Sequence, residues 1–434
     1  MVDSIRVALL GAGTVGSQTA RLIVEQADEL ERRVGARVEL AGVAVLDPSQ
    51  ISDPWIDRAL LTDQTLELTE RDDVDIVVEL IGGLEPARTF VLSALNHGAS
   101  VVTANKALLA KHGPELYEAA RKNGVDIYFE AAVGGAIPIV RPLRESMTGD
   151  RITRIMGIVN GTTNYILDEM TTKGLDFATV LKDAQAKGFA EADPTADIGG
   201  FDAAAKAAIM ATLAFHRDVR MDDVHVEGIE HVTDSDIAAA RAMNRVIKLL
   251  AVVEQDSENG AISAGVYPVM LPADHQLAKV SGSFNAVFVE GEASDDLMFY
   301  GRGAGGAPTA SAVAGDIVTV ARHRVAGTTG PDIPLYSQAP MADAADGESS
   351  YMLRLSVADN VGVLAKVSEI FANHGVSIRA LQQLPDEDEQ GNHELWITTH
   401  SVTDRVIRET AEDVAQAKDT SSVLSIMRVF EDAQ

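Results

Sequence analysis

Over the first 140 residues, short apolar runs alternate with stretches whose apolar positions recur every three or four residues, the pattern of parallel strands joined by helices. The runs 5–10, 38–46, 74–81, 100–103 and 126–129 read as strands, with helices expected over 14–32 and 114–123. Beyond residue 151 the pattern changes. A strand at 152–159 precedes helical periodicity over 163–173, 177–187 and 202–216, and further strands are expected at 261–269 and 286–290. A glycine-rich run, 301–306, leads into a helix over 309–324 that is placed to return to the first region. Residues 327–349 are rich in Gly, Pro, Ser, Ala and Asp without periodicity and read as a linker. The remainder gives strand 352–357, helix 362–373, strands 377–384 and 394–400, helix 405–417 and strand 423–430. That is a βαββαβ, ferredoxin-like order, with the acidic run 386–389 as a solvated charge cluster in its central hairpin.

The first strand ends in Gly11-Ala12-Gly13-Thr14-Val15-Gly16, and the next helix begins there. The first glycine permits the tight turn, the second lets a pyrophosphate approach the backbone, and the third lets helix and strand pack closely. The helix N-terminus then offers unpaired N–H groups to phosphate. Gly11, Gly13, Thr14, Val15 and Gly16 are therefore the candidate dinucleotide contacts. Asp47, at the end of the second strand, is the candidate acid for the adenosine ribose, where a carboxylate would favour NAD over NADP. An aspartate before Pro48 equally suits a plain turn.

Composition narrows the chemistry. The chain has 434 residues, enough for about three domains. Its net charge of -29, with 36 Lys and Arg against 65 Asp and Glu, argues against nucleic acid or an anionic membrane as partner. There is no cysteine, which excludes disulfides, thiolate metal sites and any dehydrogenase working through a thiohemiacetal. No basic-then-apolar leader and no long apolar span is visible, so a cytoplasmic protein is expected.

A carbonyl-reducing enzyme needs a donor for the developing alkoxide. None of the seven tyrosines has a lysine four residues on, so a Tyr-x-x-x-Lys pair is absent. Two lysines stand out instead. Lys106 ends Thr103-Ala104-Asn105-Lys106 at the C-terminal edge of a sheet strand, where ligands bind in open α/β sheets. Lys206 lies four residues after Asp202 in an Ala-rich, otherwise apolar helix, so the two charges share a face. Buried, such a pair is functional; exposed, it is a local surface ion pair. Just upstream, Glu191, Asp193 and Asp197 lie on a Gly/Pro-punctuated loop suited to an ammonium group, although capping and turn chemistry also uses such acids.

The glycine loop, the Thr103–Lys106 segment, Asn160-Gly161-Thr162-Thr163-Asn164 within 157–167, the stretch 191–206 and the segment 303–313 together resemble homoserine dehydrogenase, over Gly11 to about Arg324. The final unit is similar to the ACT domain of longer members, in the actinobacterial form. The resemblance implies a Rossmann-type dinucleotide-binding domain over 1–150, completed by about 303–326, and an α+β catalytic and dimerisation domain over 151–302. The linker, 327–349, then precedes an ACT regulatory domain over 350–434. It also implies NAD(P)H-dependent interconversion of L-homoserine and L-aspartate 4-semialdehyde, in threonine, methionine and isoleucine biosynthesis. Lys206 corresponds to the general acid/base, with Lys106 between cofactor and substrate. Glu191, Asp202, Asp197 and Thr162 correspond to substrate contacts, and Gly188 and Gly303 join the cofactor contacts. A monovalent cation, usually sodium, would use Glu130 and the carbonyls of Val133, Gly135 and Ile137. Asp359 and Gly362 correspond to an effector site, with L-threonine the first choice, and a homodimer or homotetramer is implied. A non-catalytic sensor of dinucleotide and amino acid, or a dehydrogenase for another amino-acid alcohol, are the competing readings.

Overall fold

The computed structural model describes residues 3–387, 391–417 and 420–431; Asp388 and Glu389 of the acidic run lie outside them. The first region carries β1 (Ser4–Leu10), α1 (Thr14–Glu25), α2 (Ala27–Val34), β2 (Arg37–Ala44) and β3 (Leu61–Thr62). It continues through α3 (Thr65–Thr69), β4 (Ile76–Glu79), α4 (Ala87–Asn96), β5 (Ser100–Thr103), α5 (Lys106–Asn123) and β6 (Ile127–Tyr128). The strands are parallel, in the order β3-β2-β1-β4-β5-β6, which is the doubly wound Rossmann arrangement. Their apolar runs are buried on both faces, as a sheet covered by helices on both sides requires. The order reverses between β1 and β4, so a crevice opens at their C-terminal ends, beside the glycine loop.

Two expectations change here. The helix expected over 14–32 is broken at Gln26 into α1 and α2. The helix expected from residue 114 begins at Lys106, so Lys106 opens α5 instead of closing a strand. The Asn105 side chain caps that helix by accepting the Leu108 N–H at 3.1 Å, and Pro114 is carried inside it.

The middle region comprises β7 (Ile152–Ile158), α6 (Gly161–Lys173), α7 (Phe177–Ala186), α8 (Thr195–Ile198), α9 (Phe201–Phe215), β8 (His225–Val226) and α10 (Asp234–Ala242). Then follow β9 (Arg245–Gln255), β10 (Ile262–Pro272), β11 (Phe284–Gly291), β12 (Asp295–Arg302) and α11 (Gly306–Ala326). Strand residues alternate between two cores. Ile155, Ala251 and Val253 face the helix-covered core, and Met156, Leu250 and Phe288 the opposite one. The sequence pattern missed β9 and β12. Helix α11 returns to the first region: a Cβ at Gly306 would lie 2.9 Å from the Thr14 carbonyl, and Arg324 pairs with Asp75 at 2.8 Å.

The last region has β13 (Glu348–Ala358), α12 (Val363–Asn373), β14 (Ile378–Glu387), β15 (Asn392–Thr399), β16 (Val402–Thr403), α13 (Asp404–Gln416) and β17 (Thr420–Val429). Its four long strands run β17-β13-β15-β14, the ferredoxin-like order. This sheet is not separate. β17 pairs in parallel with β10 through Val269–Arg428 and Met270–Val429, so one 11-stranded sheet runs through both regions. Among the described residues, no helix is long and apolar enough to cross a membrane.

Candidate active site

Helix α9 has seven alanines among its 15 residues and packs on β9 and β10, with its two charged residues drawn inward. Lys206 is 8% exposed and Asp202, in the first turn, is nearly as buried. Asp202 stands where the helix dipole favours an anion. Its Oδ2 accepts from Lys206 Nζ at 2.7 Å, and its Oδ1 lies 2.5 Å from Lys106 Nζ. One carboxylate thus joins the lysine of the Rossmann edge to the lysine of the second region. The surface ion-pair reading of Asp202 and Lys206 is excluded by this burial.

Three further contacts fix the group. Lys206 Nζ donates to the Val159 carbonyl at 2.6 Å. Asn160 Nδ2 donates to Asp202 at 2.8 Å and to Asp197 at 2.7 Å, while its Oδ1 caps α6 at the Thr163 N–H. Thr162 donates its hydroxyl to the Phe189 carbonyl at 2.6 Å, tying α6 to the loop that carries Glu191. Burial opposes the charge of Lys206 most strongly, and Lys106 adds to this; Asp202 works the other way, and the net effect lowers the Lys206 ammonium below the usual lysine range. Burial also disfavours charge on Asp202, but the two ammonium groups outweigh it and hold its carboxyl well below the usual carboxylate range.

The cluster opens into a cleft of about 1030 Å³ between α5, the 191–197 loop and α9. Glu115, Glu191, Asp193, Asp197, Asp202, Asp218 and Asp222 line it against Lys106, Lys111 and Arg220, so the wall favours a cationic group. Gly188, at a φ of 74°, starts the loop and is exposed.

The glycine loop meets its steric requirements position by position. A Cβ at Gly16 would lie 2.1 Å from the Gly11 carbonyl, whereas at Gly13 it would meet nothing within 4 Å. That open space, bordered by Thr14 and by Gly306 at the start of α11, is where a pyrophosphate backbone has room. The loop fits a dinucleotide. Asp47, however, is fully engaged in its own turn: it accepts the Ser49 N–H at 2.9 Å, the Ser49 hydroxyl at 2.6 Å and Gln50 Nε2 at 2.8 Å. The acid that reaches the glycine-loop helix is Asp53, which accepts the Ser17 hydroxyl. Gly303 lies against Asn285, whose side chain leaves no room for a Cβ there, and its carbonyl is 2.4 Å from where a Cβ of Gly135 would sit.

Glu130 is buried, and its carboxylate accepts the backbone N–H groups of Ile139 at 2.6 Å, Val140 at 2.7 Å and Arg141 at 2.9 Å. Val133, Gly135 and Ile137 are buried beside it, and among the described residues no backbone N–H is seen to donate to their carbonyls. Buried carbonyls without a donor suit a hard cation. Asp359 and Gly362 sit at the junction of β13 and α12, remote in the chain's third region, with Gly362 at a φ of 96°.

The sequence reading missed Asn160, Asp53 and Glu79 as site residues. Glu79, fully buried at the end of β4, accepts the Ile81 and Gly82 N–H groups and the Thr103 hydroxyl, organising the sheet edge next to Lys106. The one available signal was an acid closing an apolar strand.

Residues 11–130 match the family described as homoserine dehydrogenase, NAD binding domain; residues 138–318 match homoserine dehydrogenase, and 351–419 match the ACT domain. The homoserine dehydrogenase of Corynebacterium glutamicum is 48% identical over 99% of this chain and 96% of that protein. That of Mycobacterium tuberculosis is 49% identical over 98% and 97%. The crystal structure of a homoserine dehydrogenase from Thiobacillus denitrificans superposes with a TM-score of 0.92 at 37% identity, covering 99% of each chain. A hyperthermophilic archaeal homoserine dehydrogenase, solved in complex with NADPH, matches 76% of this chain and 99% of its own at a TM-score of 0.63 and 28% identity.

Proposed function

The chain belongs to the homoserine dehydrogenase family, and from that premise we propose that this NAD(P)-dependent oxidoreductase interconverts L-homoserine and L-aspartate 4-semialdehyde, on the route to threonine, methionine and isoleucine. One observation carries the assignment of roles: a single carboxylate, Asp202, lines an acid-rich cleft together with Lys106, pairs with it there, and also pairs with the buried ammonium of Lys206.

Gly11, Gly13, Thr14, Val15 and Gly16, with Gly188 and Gly303 farther along, would hold a dinucleotide, whose nicotinamide ring would supply or accept the hydride. The chain handles the proton. An ammonium has three N–H groups; Val159 and Asp202 take two of those on Lys206, and the third is left for the substrate oxygen. In reduction Lys206 gives a proton to that oxygen as it gains charge; in oxidation the neutral amine removes it. The downward displacement of its pKa makes the neutral amine easier to reach than in an exposed lysine, as the oxidative direction needs. Glu191 and Asp202, with Asp197, hold the α-ammonium of the amino acid, and Lys106 places a positive charge between substrate and nicotinamide. Glu130 and the carbonyls of Val133, Gly135 and Ile137 would hold a sodium-like cation as a brace under the loop that meets Gly303. The ACT unit takes an amino-acid effector, L-threonine first, at Asp359 and Gly362, and the working form is a homodimer or homotetramer.

The test is L-homoserine oxidation followed by nicotinamide absorbance. A chain that binds the dinucleotide and leaves homoserine unchanged is the sensor of the competing reading.

A further inference from the structure

The crevice over the glycine loop, about 550 Å³, has two walls of different character. One is formed by the N-terminal ends of α1 and α11. The other is the segment 50–53, which follows β2 and folds back toward the loop. Asp53 anchors that second wall. One of its carboxylate oxygens accepts the Ser17 hydroxyl of α1, and the other accepts the Trp55 N–H at 2.9 Å. The carboxylate is therefore held fixed at the mouth, only partly exposed.

Among the described residues, none that lines this crevice is Lys, Arg or His. Between Val45 and Asp63 the single base is Arg58, which does not line it, against Asp47, Asp53, Asp57 and Asp63. The nearest cation along α1, Arg21, is paired with Glu25 at 3.0 Å and with Gln18 Oε1 at 3.2 Å.

NAD and NADP differ only at the 2′ position of the adenosine ribose, which the wall after the second Rossmann strand reads. An acid there accepts from the 2′-hydroxyl, and an arginine accommodates a 2′-phosphate. A phosphate monoester carries a charge of roughly -1.5 to -2 at pH 7 and needs charged donors when it leaves water. A fixed carboxylate with no compensating cation repels it. We propose that this chain is selective for NAD(H) over NADP(H), with Asp53 as the specificity-determining group that faces the adenosine ribose. The inference rests on the dehydrogenase reading above and deepens it by naming which dinucleotide the site takes.

The experiment measures kcat and KM separately for L-homoserine oxidation with NAD+ and with NADP+, and fluorescence titration gives the Kd of NADH and NADPH. NAD+ is expected to have the higher kcat/KM by roughly tenfold or more, the difference residing in KM. Gln50→Lys and Ser52→Arg each add a cation to the wall without altering the Asp53 contacts, and are expected to lower KM for NADP+ by roughly fivefold or more. Asp53→Asn keeps the shape, with its amide oxygen still accepting the Trp55 N–H and its NH2 donating to the Ser17 hydroxyl oxygen, and is expected to narrow the preference. Equal or better use of NADP+ by the unaltered chain overturns the proposal. So does tight NADPH binding that is lost in Arg21→Ala or Arg58→Ala. If homoserine is oxidised with neither dinucleotide, the dehydrogenase reading fails; the titration still decides this one, by tighter NADH in support or equal NADPH against.

Discussion

Lys206 stands between two influences of opposite sign, and that gives its chemistry a testable pH signature. Its oxidative role needs the neutral amine, so kcat for homoserine oxidation rises with pH as Lys206 loses its proton, at a lower pH than an exposed lysine would set. Asp202 raises the Lys206 pKa and Lys106 lowers it. Asp202→Asn is therefore expected to move that rise to lower pH, and Lys106→Met to higher pH, in kcat–pH profiles; shifts in the same direction for both variants would contradict the arrangement. Lys206→Ala is expected to lose about 10²- to 10⁴-fold in kcat while the dinucleotide Kd is unchanged. Near-normal turnover would remove Lys206 from its role. At this scale the sequence disclosed the pair Asp202/Lys206, because four residues along a helix is a local relation. It did not disclose Asn160, which reaches Asp197 and Asp202 across about 40 residues of chain, nor that Asp53 and not Asp47 meets α1. Those depend on where separate segments come to rest.

Among the elements, the glycine loop separates fold from binding. Gly16→Ala drives a methyl group into the Gly11 carbonyl, so α1 cannot seat on β1; loss of thermal stability together with dinucleotide binding is expected. Gly13→Ala meets open space, so the melting temperature should hold while the dinucleotide KM rises. Calorimetry beside steady-state kinetics distinguishes the two. Most strands and helices were readable from their periodicity, and the exceptions have local causes. In β9, Arg-Val-Ile-Lys-Leu-Leu-Ala-Val-Val satisfies helical and extended spacing alike, and only burial between β7 and β10 selects the strand. In β12, an edge strand exposed on alternate residues, there is too little apolar contrast to mark it. Helix α5 begins eight residues before the expected start because a proline inside the helix reads as a beginning.

Across the whole molecule, the third region is docked by a shared sheet and by buried charge. Arg354, 4% exposed, pairs with Asp236 of α10 at 2.7 Å and with Glu394 of its own sheet. Arg428 bridges Glu227 at 2.9 Å and Asp404 at 2.6 Å and lies over the Tyr267 ring at 4.1 Å. Arg354→Met leaves the fully buried Asp236 without its cation and is expected to cost about 3 kcal/mol or more in urea unfolding. Because β17 covers the edge of β10, cutting the chain near Gly327 would bare strand hydrogen-bonding groups, so effector binding is better tested by substitution. Asp359→Ala, exposed and far along the chain from the cleft, is expected to relieve inhibition by L-threonine in initial-rate assays at unchanged kcat. Sequence alone determined the alternating α/β order, the dinucleotide loop, the helix-borne lysine and the terminal βαββαβ unit, since each is written within a few turns of chain as periodicity, glycine placement or i,i+4 spacing. The tertiary structure alone decided that two lysines share one carboxylate, which acid guards the crevice, and that the last unit extends the middle sheet. Those are relations between segments far apart in sequence, fixed by how their buried faces and charges pack.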